Sequence, residues 1–308
     1  MDISLIVVTY ERPAEIERLL ESLTRQHVPP DQLIVVDDSD SDETATIVSE
    51  VQTESTLSIE YYRPSSGSMS AARNYGLRYA DHEVVAFLDD DVECPPEYVS
   101  NLKDAWETHT SAAAIGGPAL WVDDAGVRVA DINETVLNQN WLTEYGEQRS
   151  SEGDWRPPRA VQTDQLAGAN MSIKRSVLEE LEGFNTVYGG SEVYEDTDVM
   201  ARIRECGGKI VYDPALEVKH YETPKTGASK SRDQFYWRGF NGIVFRYVCF
   251  PQTFWVSIAR LMTVNPGWLD PVWLCVGIAI ARDTDQLWIL KGYVFGLKYV
   301  LRNRHSLR

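Results

Sequence analysis

Two short runs constrain this chain more than any other feature. Residues 3–9 (Ile-Ser-Leu-Ile-Val-Val-Thr) and 33–36 (Leu-Ile-Val-Val) are almost uninterrupted in apolar side chains, and each stops at polar residues. A strand with one wet face alternates apolar and polar positions. A run without alternation suits a strand covered on both faces, as in a parallel sheet. Between the runs, Pro13 suits the first turn of a helix, and Ile16, Leu19, Leu20 and Leu23 recur at the spacing of one apolar stripe. The pattern repeats: Ser41 or Asp42 can cap a helix carrying Ile47, Val48 and Val51, followed by a strand near 57–62 and another at 84–88. Strand and helix in alternation predict an α/β doubly wound sheet.

Ligands on such sheets lie in the crevice beyond the carboxyl ends of the strands, so the residues that stop the runs are the ones to inspect. They are Thr9, Tyr10, Glu11 and Arg12 after the first, Asp37 and Asp38 after the second, and Asp89, Asp90 and Asp91 after the fourth. Neither GxxxxGK[ST] nor GxGxxG follows a strand, so these phosphate-binding loops are excluded and a cation has to hold any phosphates. Three adjacent carboxylates repel one another, and a divalent cation relieves that repulsion. Hard carboxylate oxygens suit Mg²⁺ or Mn²⁺; a solvated acidic turn is the plainer alternative.

Taken together, Val7-Val8-Thr9-Tyr10, Val35-Val36-Asp37-Asp38-Ser39 and Phe87-Leu88-Asp89-Asp90-Asp91 resemble, in order and spacing, glycosyltransferase family 2. That resemblance implies a Rossmann-like GT-A fold, an inverting transferase and a nucleotide-sugar donor held with Mn²⁺ or Mg²⁺. It places Thr9, Tyr10, Glu11 and Arg12 at the nucleotide, with Tyr10 lining the base pocket and Asp38 accepting from a uracil-like N–H. Asp37 and Arg73 would frame the donor. Asp89 and Asp91 fit the family's Asp-x-Asp, with Asp91 in direct metal contact and Asp90 nearer the ribose.

Gly67 to Gly76 resembles the family's helix after the third strand, whose Arg and Asn, here Arg73 and Asn74, face the nucleotide. Its small residues equally suit close packing on the sheet. Ala167-Gly168-Ala169-Asn170-Met171-Ser172, followed by Gly183-Phe184-Asn185, resembles the acceptor-side strand and helix, which makes Gly168 and Asn170 acceptor-side candidates. Glu195-Asp196-Thr197-Asp198 matches the Glu-Asp motif at a helix start. Carboxylates there also complement the helix dipole, but inversion needs a base to deprotonate the acceptor hydroxyl. The resemblance makes Asp196 that base and Glu195 an acceptor-side residue. In Val218-Lys219-His220-Tyr221, His220 stands where some relatives place a metal or diphosphate ligand, although a lone His is also a common structural residue.

Charge divides the chain. Gln234 to Arg308 holds nine Lys or Arg against three acids, +6, so with a total of −18 the remainder carries −24. Such an acidic chain is no partner for nucleic acid. Eight Lys against 21 Arg, with 47 acidic residues, resembles proteins of a high-salt cytoplasm. The four cysteines are far apart and form no CxxC pair, so neither a zinc site nor a disulfide framework is suggested. The start of the chain lacks the pattern of a secretory signal, so a cytoplasmic catalytic part is expected.

Five of the nine Trp lie beyond Phe235, beside Arg and apolar stretches, as at a membrane surface. The longest apolar run there, Pro271 to Ala281, falls short of the roughly 20 residues a span needs. The expectation is a catalytic domain over 1–233, with a nucleotide half to about 120 and an acceptor half from about 121, then a helical region over 234–308 on the cytoplasmic face of the membrane or against a second copy of the chain. The composition and the family resemblance together suggest an enzyme extending a dolichyl-phosphate-linked glycan for surface-protein N-glycosylation. Other readings are a polyprenyl-phosphate sugar synthase, a polysaccharide glycosyltransferase, or an inactive sugar-nucleotide-binding membrane scaffold.

Overall fold

Ile3–Thr9 (β1) and Gln32–Asp37 (β2) are buried along their whole length and pair in parallel, Val7 beside Val35. The computed structural model describes residues 1–129, 132–133, 141–149, 154–190, 192–221, 232–263 and 284–307. Pro13–Thr24 (α1) has Pro in its first turn and buries Ile16, Leu19, Leu20 and Leu23. Glu43–Glu54 (α2) begins after Asp42, but that carboxylate bonds Arg63 and caps no helix amide, contrary to the capping expected of it. Glu60–Tyr62 (β3), Met69–Leu77 (α3), Val84–Asp89 (β4), Val92–Glu93 (β5) and Tyr98–Thr108 (α4) follow, then Ala112–Gly116 (β6) and Ala119–Val122 (β7). After the short strands Ile132–Asn133 (β8), Trp141–Leu142 (β9), Gln148–Arg149 (β10) and Asp154–Trp155 (β11) come Val161–Thr163 (β12), Asn170–Lys174 (β13), Arg175–Glu180 (α5), Glu195–Glu205 (α6), Lys209–Tyr212 (β14) and Val218–Tyr221 (β15). The chain ends in Arg232–Cys249 (α7), Phe254–Thr263 (α8) and Thr284–Asn303 (α9).

The main sheet has eight strands in the order β12-β14-β6-β13-β4-β1-β2-β3. Strands β3, β2, β1 and β4 are parallel, as expected of chain segments joined by crossover helices. The sheet is nevertheless mixed, because β13 runs antiparallel to both β4 and β6. Alternate residues of β1 enter two apolar layers, Leu5 and Val7 with α1 and α4 on one face, Ile6 and Val8 with α3 and α5 on the other. A three-stranded sheet, β5-β15-β7, is laid down beside the end of β4.

The chain divides into two compact units. The first is Met1–Trp141, Ser150–Phe184 and Val199–Thr223; the second is Leu142–Arg149, Asn185–Asp198 and Pro224–Arg308. In that unit α7 and α9 pack backbone to backbone: a Cβ on Gly239 would strike the Ile289 carbonyl, and one on Gly292 the Tyr236 carbonyl. No helix among the described residues is long and apolar enough to cross a membrane. The run Pro271 to Ala281 lies outside the described residues.

Candidate active site

Strand β4 ends by delivering Asp89, Asp90 and Asp91 to the carboxyl edge of the sheet; Asp90 and Asp91 are buried and Asp89 half-buried. Their surroundings are set by four other elements of the first unit. After β1, the Thr9 hydroxyl donates to Asp90 Oδ2 at 2.7 Å, and the Arg12 guanidinium forks between Asp90 Oδ1 and Asp91 Oδ2, both at 2.7 Å. From α3 the wholly buried Arg73 reaches Asp89 Oδ1 at 2.9 Å and the Gly168 carbonyl at 3.4 Å. From β15, His220 Nε2 sits 3.0 Å from Asp91 Oδ1, because β15 pairs antiparallel with β5 and places His220 opposite Val92. On the other side β7 pairs Trp121 with His220, and their rings stack at 4.0 Å.

This arrangement alters one step of the sequence argument. The triplet is compensated by protein cations, Arg12, Arg73 and His220, so mutual repulsion alone does not demand a metal. The donor set does fit one. Asp89, Asp91 and His220 each offer a ligand atom, all within 4.8 Å of one another, and no other such group occurs among the described residues. Two carboxylate oxygens with an imidazole form a donor set that can hold a divalent cation. Burial alone would raise the Asp91 carboxyl; the bond and charge of His220, with Arg12, overturn that and hold it down to about 2. Burial likewise works against a charged His220, yet Asp91 outweighs it and raises the imidazole above its ordinary value. Burial pushes the Asp90 carboxyl up, against the pull of Arg12.

The remaining sequence candidates divide between the open edge and the interior. Tyr10 is 60% exposed and free to meet a planar base. Asp38 is half-buried and already accepts from the Ser66 amide and hydroxyl and the Gly67 amide, each at 2.7 Å, so it organises the loop before α3 while keeping its position at the rim. Asp37 is wholly buried, with Ser39 N–H on one oxygen and the Tyr61 hydroxyl on the other. Glu11, at φ 52°, accepts from the Asp40 amide at 2.7 Å and braces the same loop. Asn74 does not face the crevice: its amide exchanges two 2.7 Å bonds with the Phe184 backbone. Asn170 is a core brace, accepting from Tyr98 and donating to the carbonyls of Pro118 and Leu216. Gly168 is buried and offers Arg73 its carbonyl.

In the second unit Glu195 is buried and its carboxylate accepts the Asp196 amide. Asp196 is half-buried at the first turn of α6, and its Oδ1 accepts the Thr197 amide at 2.6 Å. Sequence reasoning missed Trp121. It is 42% exposed and is brought to His220 only by the β7–β15 register, which no local pattern announces.

Residues 4–181, more than half of the chain, match the family model described as glycosyl transferase family 2. A glucosyl-dolichyl phosphate glucuronosyltransferase of Haloferax volcanii is 26% identical over 227 residues, 71% of this chain and 69% of that protein. The poly(ribitol-phosphate) β-N-acetylglucosaminyltransferase TarS of Staphylococcus aureus is 35% identical over 109 residues, but that stretch is 34% of this chain and only 18% of the relative. Among solved structures, the mannosyltransferase PcManGT of Pyrobaculum calidifontis, in complex with GDP-Man and Mn²⁺, superposes with a TM-score of 0.58 at 19% identity, covering 96% of this chain and 86% of that one. The fold is of the GT-A type.

Proposed function

Given that the chain belongs to glycosyl transferase family 2 and is a glycosyltransferase, we propose that it moves a hexose or hexuronic acid, with inversion, from a UDP- or GDP-sugar to a lipid-linked glycan on dolichyl phosphate. The observation that carries this reading is the Asp89, Asp91 and His220 cluster at the end of β4. An Mn²⁺ or Mg²⁺ ion held there would supply the charge that stabilises a departing diphosphate. Tyr10 offers its exposed ring to the base, and Asp38 and Asp90 offer acceptor oxygens to base and ribose. Arg73 fixes Asp89, and Arg12 fixes Asp90 and Asp91, so that the ligands are oriented before the donor arrives. Asp196 takes the proton of the acceptor hydroxyl as its oxygen bonds to the anomeric carbon and the bond to the diphosphate breaks on the opposite face. Glu195 steadies Asp196 through its amide.

The lipid-linked acceptor is supported by the Haloferax volcanii relative, named for a dolichyl-phosphate substrate, and by the +6 charge of the region after residue 233. That region would hold the enzyme at the cytoplasmic face of the membrane, where a role in N-glycosylation of surface proteins fits the acidic, lysine-poor composition. The test is nucleoside-diphosphate release from a panel of UDP- and GDP-sugars, in Mn²⁺ or EDTA, with and without a prenyl-phosphate-linked glycosyl acceptor. Metal-dependent release from one donor, stimulated by that acceptor and lost in Asp196→Asn, is expected. Stimulation by a free oligosaccharide and not by the lipid would defeat the acceptor assignment.

A further inference from the structure

One face of α7 grips the segment that carries Glu195 and Asp196, all within the second unit. Gly242, Phe245, Arg246 and Cys249 follow the i, i+3, i+4, i+7 spacing of a single helix face. Cys249 Sγ lies 3.1 Å from Asp198 Oδ2, which also accepts from the Tyr188 hydroxyl at 2.7 Å. Phe245 stacks on Tyr194 with ring centroids 5.1 Å apart. The Asp198 amide donates to the Tyr194 carbonyl at 2.8 Å, which closes the first turn of α6. Two positions of the α7 face, Phe245 and Cys249, are thereby explained as packing. Arg246 is not.

Arg246 is 4% exposed and donates from Nη1 to the Gly242 carbonyl at 2.8 Å; among the described residues it has no carboxylate partner and its Nε has no hydrogen-bond partner. A guanidinium carries five donors and keeps its charge when buried, so a buried one without an anion is exceptional. A second, independent feature stands beside it. Tyr194 is buried at φ 89°, a backbone conformation costly for a bulky side chain and maintained only where the surroundings enforce it. Its hydroxyl and Arg246 Nη1 each lie 3.4 Å from the point where a Cβ on Gly242 would stand. That point is at ordinary contact distance from both, so a guanidinium and a phenol O–H, both donors, converge over the bare face of Gly242.

The geometry points to an anion subsite formed by Arg246 and Tyr194, two residues before the base in the chain, that takes the phosphate of a glycosyl phosphate lipid acceptor. The inference rests on the lipid-linked acceptor proposed above and gives it a point of recognition. An oxyanion with several acceptor oxygens matches a forked guanidinium plus a hydroxyl. In a glycosyl phosphate the anion lies one sugar ring from the hydroxyls to be glycosylated, which suits a subsite beside the start of α6. A uronic acid carboxylate shares the chemistry and is the competing source.

The test uses the full chain with its donor and Mn²⁺ and three acceptors on the same short prenyl chain: a glucosyl phosphate, a neutral glucoside and a glucuronide. For the wild type the acceptor KM should be lowest for the phosphate, by about tenfold or more over the neutral form. Arg246→Gln should raise that KM to the neutral level while donor KM and acceptor-independent donor hydrolysis stay unchanged, and Arg246→Lys should recover part of the preference. Gly242→Ala adds a methyl at ordinary contact distances, so it folds, and it too should raise the KM for the phosphate acceptor. Preference for the phosphate that survives both Arg246→Gln and Gly242→Ala, or a preference for the glucuronide, overturns the inference. Calorimetric binding of the glucosyl phosphate lipid separates the two readings. Binding that depends on Arg246 without transfer to it defeats the acceptor assignment alone, and absence of binding to the wild type defeats both.

Discussion

Arg12 holds two carboxylates at once, which decides what its removal does. It is about one-third exposed and its partners are largely buried, so Arg12→Met leaves Asp90 and Asp91 without their shared cation. With solvent screening of the exposed end taken into account, the loss is about 1–3 kcal/mol of folding stability in EDTA. Mn²⁺ should then stabilise the variant more than the wild type, because Asp91 Oδ2 no longer bonds Arg12; melting curves in EDTA and in Mn²⁺ read both effects. His220→Gln should weaken Mn²⁺ binding by about ten- to a hundredfold, measured by electron paramagnetic resonance of the free ion. The acidic triplet was legible in the sequence because it closes an apolar run. The pairing of Asp91 with His220 was not, since it depends on the register of two short strands 129 residues apart in the chain. Asn74 shows the reverse difficulty: a motif position adjacent to Arg73 turns its amide to the Phe184 backbone, and residue type alone carries no sign of which neighbour faces the crevice.

At the level of elements, β1, β2 and β4 could be read from apolar runs and α1 and α2 from apolar periodicity, because parallel strands covered on both faces leave that signature, whereas α3 was legible only through the family resemblance. Strand β13 is also buried on both faces, so nothing in Asn170–Lys174 distinguishes its antiparallel direction. Helix packing in the second unit was equally hidden, yet it makes a sharp prediction. The same change, Gly to Ala, should have opposite signs in neighbouring helices. In α7, Gly242→Ala meets only contacts of 3.4 Å and gains helix propensity, raising stability by about 0.5–1 kcal/mol. In α9, Gly292→Ala drives a methyl into the Tyr236 carbonyl and should lower it by about 1–3 kcal/mol or more. Urea melts of the two variants decide the matter. At the other end of the sheet Asp31 ties β1 to α4, accepting from the Ile3 amide at 2.9 Å and from Lys103 at 2.7 Å. Burial alone would raise its carboxyl, and those two donors lower it below the ordinary 3.8. The stability it contributes is therefore present above about pH 4 and is lost as the pH falls toward the lowered value. Asp31→Asn should flatten that part of the acid limb of the melting-temperature profile.

For the whole molecule the decisive quantity is the unequal charge, −24 before residue 234 and +6 after it. Within the second unit α9 presents Leu287, Val294, Phe295 and Leu301, each more than a third exposed, along one stripe. The ammonium of Lys291 lies 4.0 Å over the Trp288 ring and that of Lys298 5.9 Å over Phe295, so both cations rest on aromatic faces of the same helix. Lys291 and Lys298 fall between Val294 and Phe295 on this face, so cations are interleaved with its apolar residues, a composition that suits the membrane-surface role proposed above. Two forces then act, and salt separates them: attraction to anionic headgroups fades within a Debye length of about 3 Å at 1 M salt, whereas burial of Phe295 and its neighbours does not. Flotation with anionic vesicles should capture the full chain at low salt, retain a smaller fraction at molar salt, and capture none of a Val294→Glu, Phe295→Glu double variant under either condition. If that variant instead converts a dimer into a monomer by light scattering, and the wild type never floats, the stripe is an interface between copies and the membrane assignment falls.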